Sequence, residues 1–362
     1  MIAAVDSFKS QQEHCFFEKK NKAWNSPVSK SQELQLQYFL NENETYESLD
    51  RSVQLALFAA RSLKGIPEQT AVNLGSSRGA TGLWEAYYNR FRKSGTVPTA
   101  TSPLTTLGNI SSWVAQDLGL KGTAFSHSIT CATASHAILN AIAWLESEMA
   151  TSFIAGGSEA PLTAFTIAQM QALRIYSRDN DRYPCKALDL DKSQNSMILG
   201  EAAACFLLSK EHKNSLAKIT GYGSAIERLE TATSVTATGE CLQESMRQAT
   251  QHIHLEEVDA IITHAPGTIK GDKAEFAAIR NVFGDQYPHL CNNKWQVGHT
   301  LGASSAINLF MAIEMLQSEM IFKIPYLEES FVNPRGDDRI PKRILINATG
   351  FGGNAVSLLV ER

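Results

Sequence analysis

The chain has 362 residues, 43% hydrophobic and 19% charged, with a formal net charge of −4. That supplies core for one large folded unit or two medium ones, gives no footing for a nucleic-acid surface, and includes no apolar run of the roughly 18 residues a membrane span needs. The six cysteines (15, 131, 185, 205, 241 and 291) form no CxxC pair, which argues against a zinc site or a disulfide framework, and with an N-terminus too polar for a secretory signal a reducing cytoplasm is expected.

In chain order, residues 1–50 are weakly patterned, and 21–47 read as a polar, irregular, exposed arm. Residues 48–63 carry Leu49, Val53, Leu55, Leu57, Ala60 and Leu63 in an amphipathic helical pattern. A short buried strand is predicted over 71–74. The turn GSSRGATG follows it; it lacks the lysine of a phosphate loop and the order of a dinucleotide fingerprint, and reads as a tight strand-to-helix connection. Helices are expected over 83–93 and 110–118, with a loop over 98–109.

The centre of the chain is 128–157. A β-prone run over 125–129 leads to Cys131. A helix over 132–149 follows, built on Ala134, Ala137, Ile138, Ala141, Ile142 and Leu145, and then a strand at 152–155 closed by two glycines. A helix over 160–176, a charged loop over 177–191 and a strand at 205–208 come next, then a polar joint at 210–218.

The second half repeats the style of the first. Strand 219–224 and a largely helical 231–253 precede strand 258–263, which runs into His264-Ala265-Pro266-Gly267-Thr268. Helix 273–282 follows, and a small-residue helix over 301–316 is opened by Gly298-His299-Thr300. Strands at 343–348 and 355–360 flank Gly350-Phe351-Gly352-Gly353. Strands alternating with helices predict an α/β fold with covered, mainly parallel sheets, and functional groups at strand ends.

Cys131 lies where a strand gives way to the first turn of a helix, whose unpaired N–H groups and dipole favour an anion. That setting is expected to lower a thiol's pKa, and a thiolate can carry an acyl group. The bland alternative is a small buried hydrophobe. Taken singly, His264 and His299 are core or surface histidines, Lys294 a surface cation, and Gly350 to Gly353 a tight turn. Their co-occurrence in this order is what favours a site.

Those residues resemble the β-ketoacyl synthases, the condensing enzymes of the thiolase superfamily. Thr130-Cys131-Ala132 and the alanine-rich helix, with Ala155 to Ala160, resemble the nucleophile segment. Asp189 to Asp191 and Leu199-Gly200-Glu201-Ala202-Ala203 resemble the next stretch. His264 to Thr268 with Gly271-Asp272 and Glu275, then Lys294 with Gly298 to Ala303, then Asn347 to Gly353, match the remaining motifs. The resemblance runs from about residue 70 to the C-terminus, with Ala265-Pro266 and Asn354-Ala355 departing from the family pattern.

The resemblance implies a thiolase-like fold of two similar α/β halves (1–215 and 216–362) in a layered αβαβα arrangement. It implies that Cys131 accepts an acyl group, that His264 and His299 stabilise the enolate of a malonyl thioester as CO2 leaves, and that Lys294 and Glu275 form a buried supporting pair. Backbone N–H groups of Cys131 and Phe351 would form the oxyanion hole. Phe351 would also act as a gate, and Thr268 and Phe351 would contact substrate. Cys with two His points to elongating rather than initiating enzymes. No metal or organic cofactor is implied. The implied partners are an acyl carrier protein bearing acyl and malonyl thioesters, and a homodimer mate or a related ketosynthase or chain-length-factor subunit. A non-catalytic chain-length-factor role for the chain itself is the alternative. Arg78, Arg90, Arg92 and Lys93 could form a basic patch for an acidic carrier, or a solvated charged face.

Overall fold

Two β-sheets built on one strand plan account for the fold. The computed structural model describes residues 15–20, 23–107, 109–211, 215–228 and 235–362. The first sheet contains β3 (Ala71–Gly75), β4 (Ala124–Phe125), β5 (Ser152–Glu159) and β7 (Ala202–Ser209) in the order β4-β3-β5-β7. The second contains β8 (Lys218–Ile226), β9 (Ala260–Ile262), β10 (His289–Cys291), β11 (Arg343–Gly350) and β12 (Asn354–Glu361) in the order β10-β9-β11-β12-β8. Each has three parallel strands with an antiparallel one beside the last. The sheets differ at that side: β12 pairs with β8, whereas β7 is an edge strand among the described residues.

The strands at the heart of each sheet are apolar on both faces, as layers covered on both sides require. All of β5 is buried, and β9 is Ala-Ile-Ile with no exposure. Between the sheets lie α7 (Thr133–Glu146) and α12 (Ser304–Ser318), the crossover helices of β4-α7-β5 and β10-α12-β11, which pack on each other and on both sheets. Small residues allow this: α7 buries Ala134, Ala137 and Ala141, and Ser135 N donates to Ser305 Oγ of α12 at 2.8 Å. The outer layers are α3 (Arg51–Ala60) and α6 (Asn109–Asp117) on the first sheet, with α9 (Glu240–Thr250) on the second and α10 (Ile269–Phe283) beside it. The result is the expected five-layer αβαβα sandwich. No helix among the described residues is long and apolar enough to cross a membrane.

Of the expected arm over 21–47, residues 23–47 are instead largely in regular elements and partly core. β2 (Ala23–Ser26) pairs with β1 (Glu18–Lys20) and β6 (Leu199–Gly200), and α1 (Lys30–Leu40) starts with a capping box between Ser29 and Gln32. α2 (Glu44–Glu47) follows. Leu36, Phe39, Leu40 and Tyr46 are buried against α3. They recur at helical spacing but are diluted by polar neighbours, which hid the helix from a reading by composition. The loop predicted over 98–109 contains a short helix, α5 (Thr101–Thr105), after α4 (Thr81–Ser94). Of the β-prone run over 125–129 only Phe125 is in a strand, as the second residue of β4. The helix predicted over 231–253 is α9, beginning at Glu240; residues 229–234 lie outside those described. β10 was not anticipated, because His-Leu-Cys is too short and mixed to read as a strand.

Candidate active site

The ends of strands from both halves converge on one buried cluster. Cys131 stands on the turn between β4 and α7 and is 8% exposed. Thr130 before it adopts a positive φ of 49°, and Thr133 Oγ1 both donates to Thr130 O (2.6 Å) and accepts from Ile129 N (2.9 Å). The Cys131 turn is thus stapled by its own helix. From the other half, the β11–β12 turn closes over it: Thr130 Oγ1 donates to Phe351 O at 3.2 Å. A Cβ placed on Gly350 would lie 2.0 Å from Thr130 Oγ1 and 3.0 Å from Cys131 N, so only glycine allows this approach. Phe351 itself is 40% exposed.

The thiol does not follow the sequence expectation. Burial pushes Cys131 up to about 12, with Glu159 acting in the same direction; Lys294 and Arg78 pull against it. Loss of water outweighs the helix terminus and the nearby cations.

His264, just beyond β9, and His299, in the turn before α12, are both buried, with ring centroids 5.2 Å apart in an edge-to-face pair. The backbone fixes each. His264 N donates to Glu275 Oε1 (2.8 Å), and His299 N donates to Ile198 O (2.7 Å) while its carbonyl accepts from Gly200 N (3.1 Å). Burial, then Lys294 and His299, hold His264 well below its ordinary value. Burial, then Lys294, pull His299 down to about 3. Both rings are therefore neutral at pH 7, and a neutral imidazole can donate a hydrogen bond without a protonation step.

Lys294 opens α11 (Lys294–Val297) and has no exposure; its Nζ has no hydrogen-bond partner among the described residues. Burial lowers it to about 8, opposed chiefly by Glu275. Lys294 and Glu275 thus feel each other without a hydrogen bond between them. The Glu275 carboxylate is instead filled by the N–H groups of His264 and Ala265 (2.6 Å) and by Asn347 Nδ2 (3.2 Å). Thr268 is the N-cap of α10, its Oγ1 accepting from Gly271 N at 3.2 Å.

Glu159 has the largest structural share of any residue the motif reading left without a role. Fully buried at the end of β5, it accepts from Ser76 Oγ, Ser77 N and Oγ, Arg78 N and, from the second half, Gly302 N at 2.9 Å. Burial raises its carboxyl and these donors lower it again. Asp272 is similar: it pairs with Lys192 Nζ at 2.7 Å and accepts from Leu188 N and Gly267 N. An acidic residue closing an apolar strand was the available signal for Glu159; nothing in the pattern marked Lys192. The four cations proposed as one patch separate: Arg90, Arg92 and Lys93 are exposed on α4, whereas Arg78 is half-buried near Cys131.

Comparison with known proteins agrees with this geometry. Residues 3–214 match the family described as "Beta-ketoacyl synthase, N-terminal domain", and 216–327 its C-terminal domain. The chain is 29% identical over 300 residues to Nodulation protein E of Rhizobium leguminosarum bv. trifolii, covering 76% of this chain and 71% of that protein. It is 28% identical over 344 residues to 3-oxoacyl-[acyl-carrier-protein] synthase 2 of Staphylococcus aureus (strain COL), covering 87% and 82%. Among solved structures it is similar in fold to the ishigamide ketosynthase/chain length factor, with a TM-score of 0.83 at 18% identity over 100% of this chain and 94% of that one. With the thiolase-like sandwich, the paired histidines and both domain matches in hand, the chain belongs to the β-ketoacyl synthase family of condensing enzymes.

Proposed function

We propose that the chain is an elongating β-ketoacyl-[acyl carrier protein] synthase. The observation that carries this reading is the buried, neutral pair His264 and His299, facing each other behind the Cys131 turn. Cys131 sulfur attacks an acyl thioester and the carrier thiol leaves. A malonyl thioester then loses CO2, and the electrons of the broken C–C bond pass into an enolate whose oxygen accepts hydrogen bonds from the two imidazoles. The enolate carbon attacks the Cys131 thioester. The resulting oxyanion is stabilised by the N–H groups of Cys131 and Phe351, and collapse releases a 3-oxoacyl thioester and the thiolate. Lys294 and Glu275 hold the polar surroundings: burial keeps both rings neutral with the ammonium acting in the same direction, and the carboxylate fixes the His264 backbone. Thr268 uses an oxygen lone pair as a helix cap and keeps its O–H for the thioester's pantetheine arm. No metal or organic cofactor takes part.

The partners follow from the same chemistry. The substrates arrive on an acyl carrier protein. A second subunit, either another copy or a related ketosynthase or chain-length factor, would cover Trp84, Tyr88 and Phe91, which stand exposed on one face of α4 at i, i+4, i+7. The halves join at the polar segment near residue 215, and the cytoplasm is the expected compartment.

The departures from the family pattern favour the alternative of a non-catalytic partner subunit: Ala265-Pro266 follow His264, and Asn354-Ala355 follow the glycine turn. Intact-protein mass spectrometry with a panel of acyl-carrier-protein thioesters separates the two. Synthase chemistry predicts a stable acyl adduct on the wild type and none on Cys131→Ala. A wild type that takes no acyl group from any donor would exclude the synthase.

A further inference from the structure

Arg78 is a charged group at this site that the chemistry above does not use. It follows β3 in the Ser76–Ser77–Arg78 turn, whose backbone is drawn in by the Glu159 carboxylate. Its guanidinium reaches α8 (Ala164–Ala172), where one terminal nitrogen bonds the Gln169 side chain. The same helix and its lead-in supply Leu162, Ile167 and Met170 to the apolar cluster that contains Cys131. Arg78 also acts electrostatically on Cys131. Two features of its side chain stand out. Among the described residues, its buried Nε has no hydrogen-bond partner and no carboxylate forms an ion pair with it.

A guanidinium half out of water with an unfilled donor loses free energy that only an acceptor can return. Glu159 does not supply one, because its oxygens are taken by serine hydroxyls and backbone N–H groups. Gln169 fills one of the five N–H positions of an arginine. Arg78 lies between α8, which it reaches through Gln169, and the Cys131 turn, where Ser128 Oγ donates to the carbonyl of the neighbouring Ser77 at 3.2 Å, so an acyl group on Cys131 is placed to supply the missing acceptor.

We propose that Arg78 is a specificity determinant that reads an oxygen on the acyl chain carried by Cys131. The preferred acyl groups bear a carbonyl or carboxylate beyond the thioester, and a plain alkyl chain leaves the guanidinium unsatisfied. The proposal rests on the synthase reading of Cys131.

The test uses three six-carbon pantetheine thioesters: hexanoyl, 3-oxohexanoyl and adipoyl. Each donor passes its acyl group to Cys131 sulfur and releases pantetheine as a free thiol. Acylation rates are followed by intact mass for wild type and Arg78→Met, which keeps length and removes charge. The expected result is labelling of wild type by at least one oxygenated donor about tenfold faster than by hexanoyl, the scale of one hydrogen bond to a charged donor, with the preference lost in Arg78→Met. A preference for 3-oxohexanoyl identifies a keto oxygen as the ligand, and one for adipoyl a carboxylate. Equal rates for the three donors on wild type, a measurement that needs no variant, overturn the proposal while leaving the synthase standing. A preference that survives in Arg78→Met also overturns it. If no donor labels wild type, the synthase reading falls and this proposal falls with it.

Discussion

Glu159, at the end of a strand in the first half, accepts a hydrogen bond of 2.9 Å from the backbone of Gly302, in the turn after His299 in the second. The contact is close: a Cβ on Gly302 would lie 2.6 Å from the Glu159 carboxylate and 2.5 Å from Ser77 N. One buried carboxylate thereby fixes the turn that bears Arg78 and the segment that follows His299.

Replacing Glu159 by Gln therefore disturbs both halves at once. The amide NH2 would face N–H and O–H groups that now donate, leaving two or more of them unpaired. A loss of about 3 kcal/mol is expected, read as a lower urea midpoint, together with reduced acylation of Cys131.

Gly350→Ala forces a Cβ against Thr130 Oγ1 and Cys131 N. Turn displacement costing about 2 kcal/mol is expected, with acyl transfer falling more steeply than stability. The double variant with Thr130→Ala recovers part of the stability, because the nearer clash is with the Thr130 hydroxyl. Thermal unfolding and acyl-adduct formation measured side by side check both halves of this expectation.

The histidines link stability to pH. Both have folded values below the ordinary 6.5, so as pH falls through that value the unfolded chain takes up protons first. Their contribution to stability is full above about pH 6.5 and declines below it, by up to about 1.4 kcal/mol per group per pH unit, until His299 titrates near pH 3 in the folded state. Urea midpoints at pH 7.5 and pH 5.0 should differ in that direction. His299→Gln should reduce the difference.

Lys294 runs the same way at higher pH. Its folded value near 8 lies below the ordinary 10.5, so the buried ammonium costs the folded state most below pH 8. Lys294→Met is expected to stabilise the fold at pH 7 by about 2 kcal/mol while lowering condensation at least about tenfold, the scale set by losing one charged contact. The same variant removes one cation that favours the Cys131 thiolate, so alkylation of Cys131 by iodoacetamide should slow further. Faster alkylation would contradict the electrostatic order described above.

How much of this was legible in the sequence depended on whether local pattern and tertiary role coincided. Cys131, His264 and the Gly350 turn follow or end strands and His299 opens a helical turn, where glycine punctuation and apolar runs mark the boundary, and the structure brings them to one place. α1 failed to show because Leu36, Phe39 and Leu40 are set among glutamines and a glutamate. Arg78 looked like a partner for Arg90 and Arg92, since chain proximity says nothing about which side of a turn a side chain takes. The thiol of Cys131 was expected to be lowered by its helix terminus, but a sequence cannot report how thoroughly water is excluded, and burial prevailed.

Cys131 and His299 hold corresponding stations: each sits in the turn that precedes the crossover helix of its own half, α7 or α12, and those two helices touch. A repeated unit folded against itself thus offers two facing copies of one turn within a single shell. Such a layout permits a division of labour that one copy could not manage, with an electrophile held on one side and a carbanion made on the other. A change that shifts one crossover helix would alter the spacing between the two tasks before it altered either task alone.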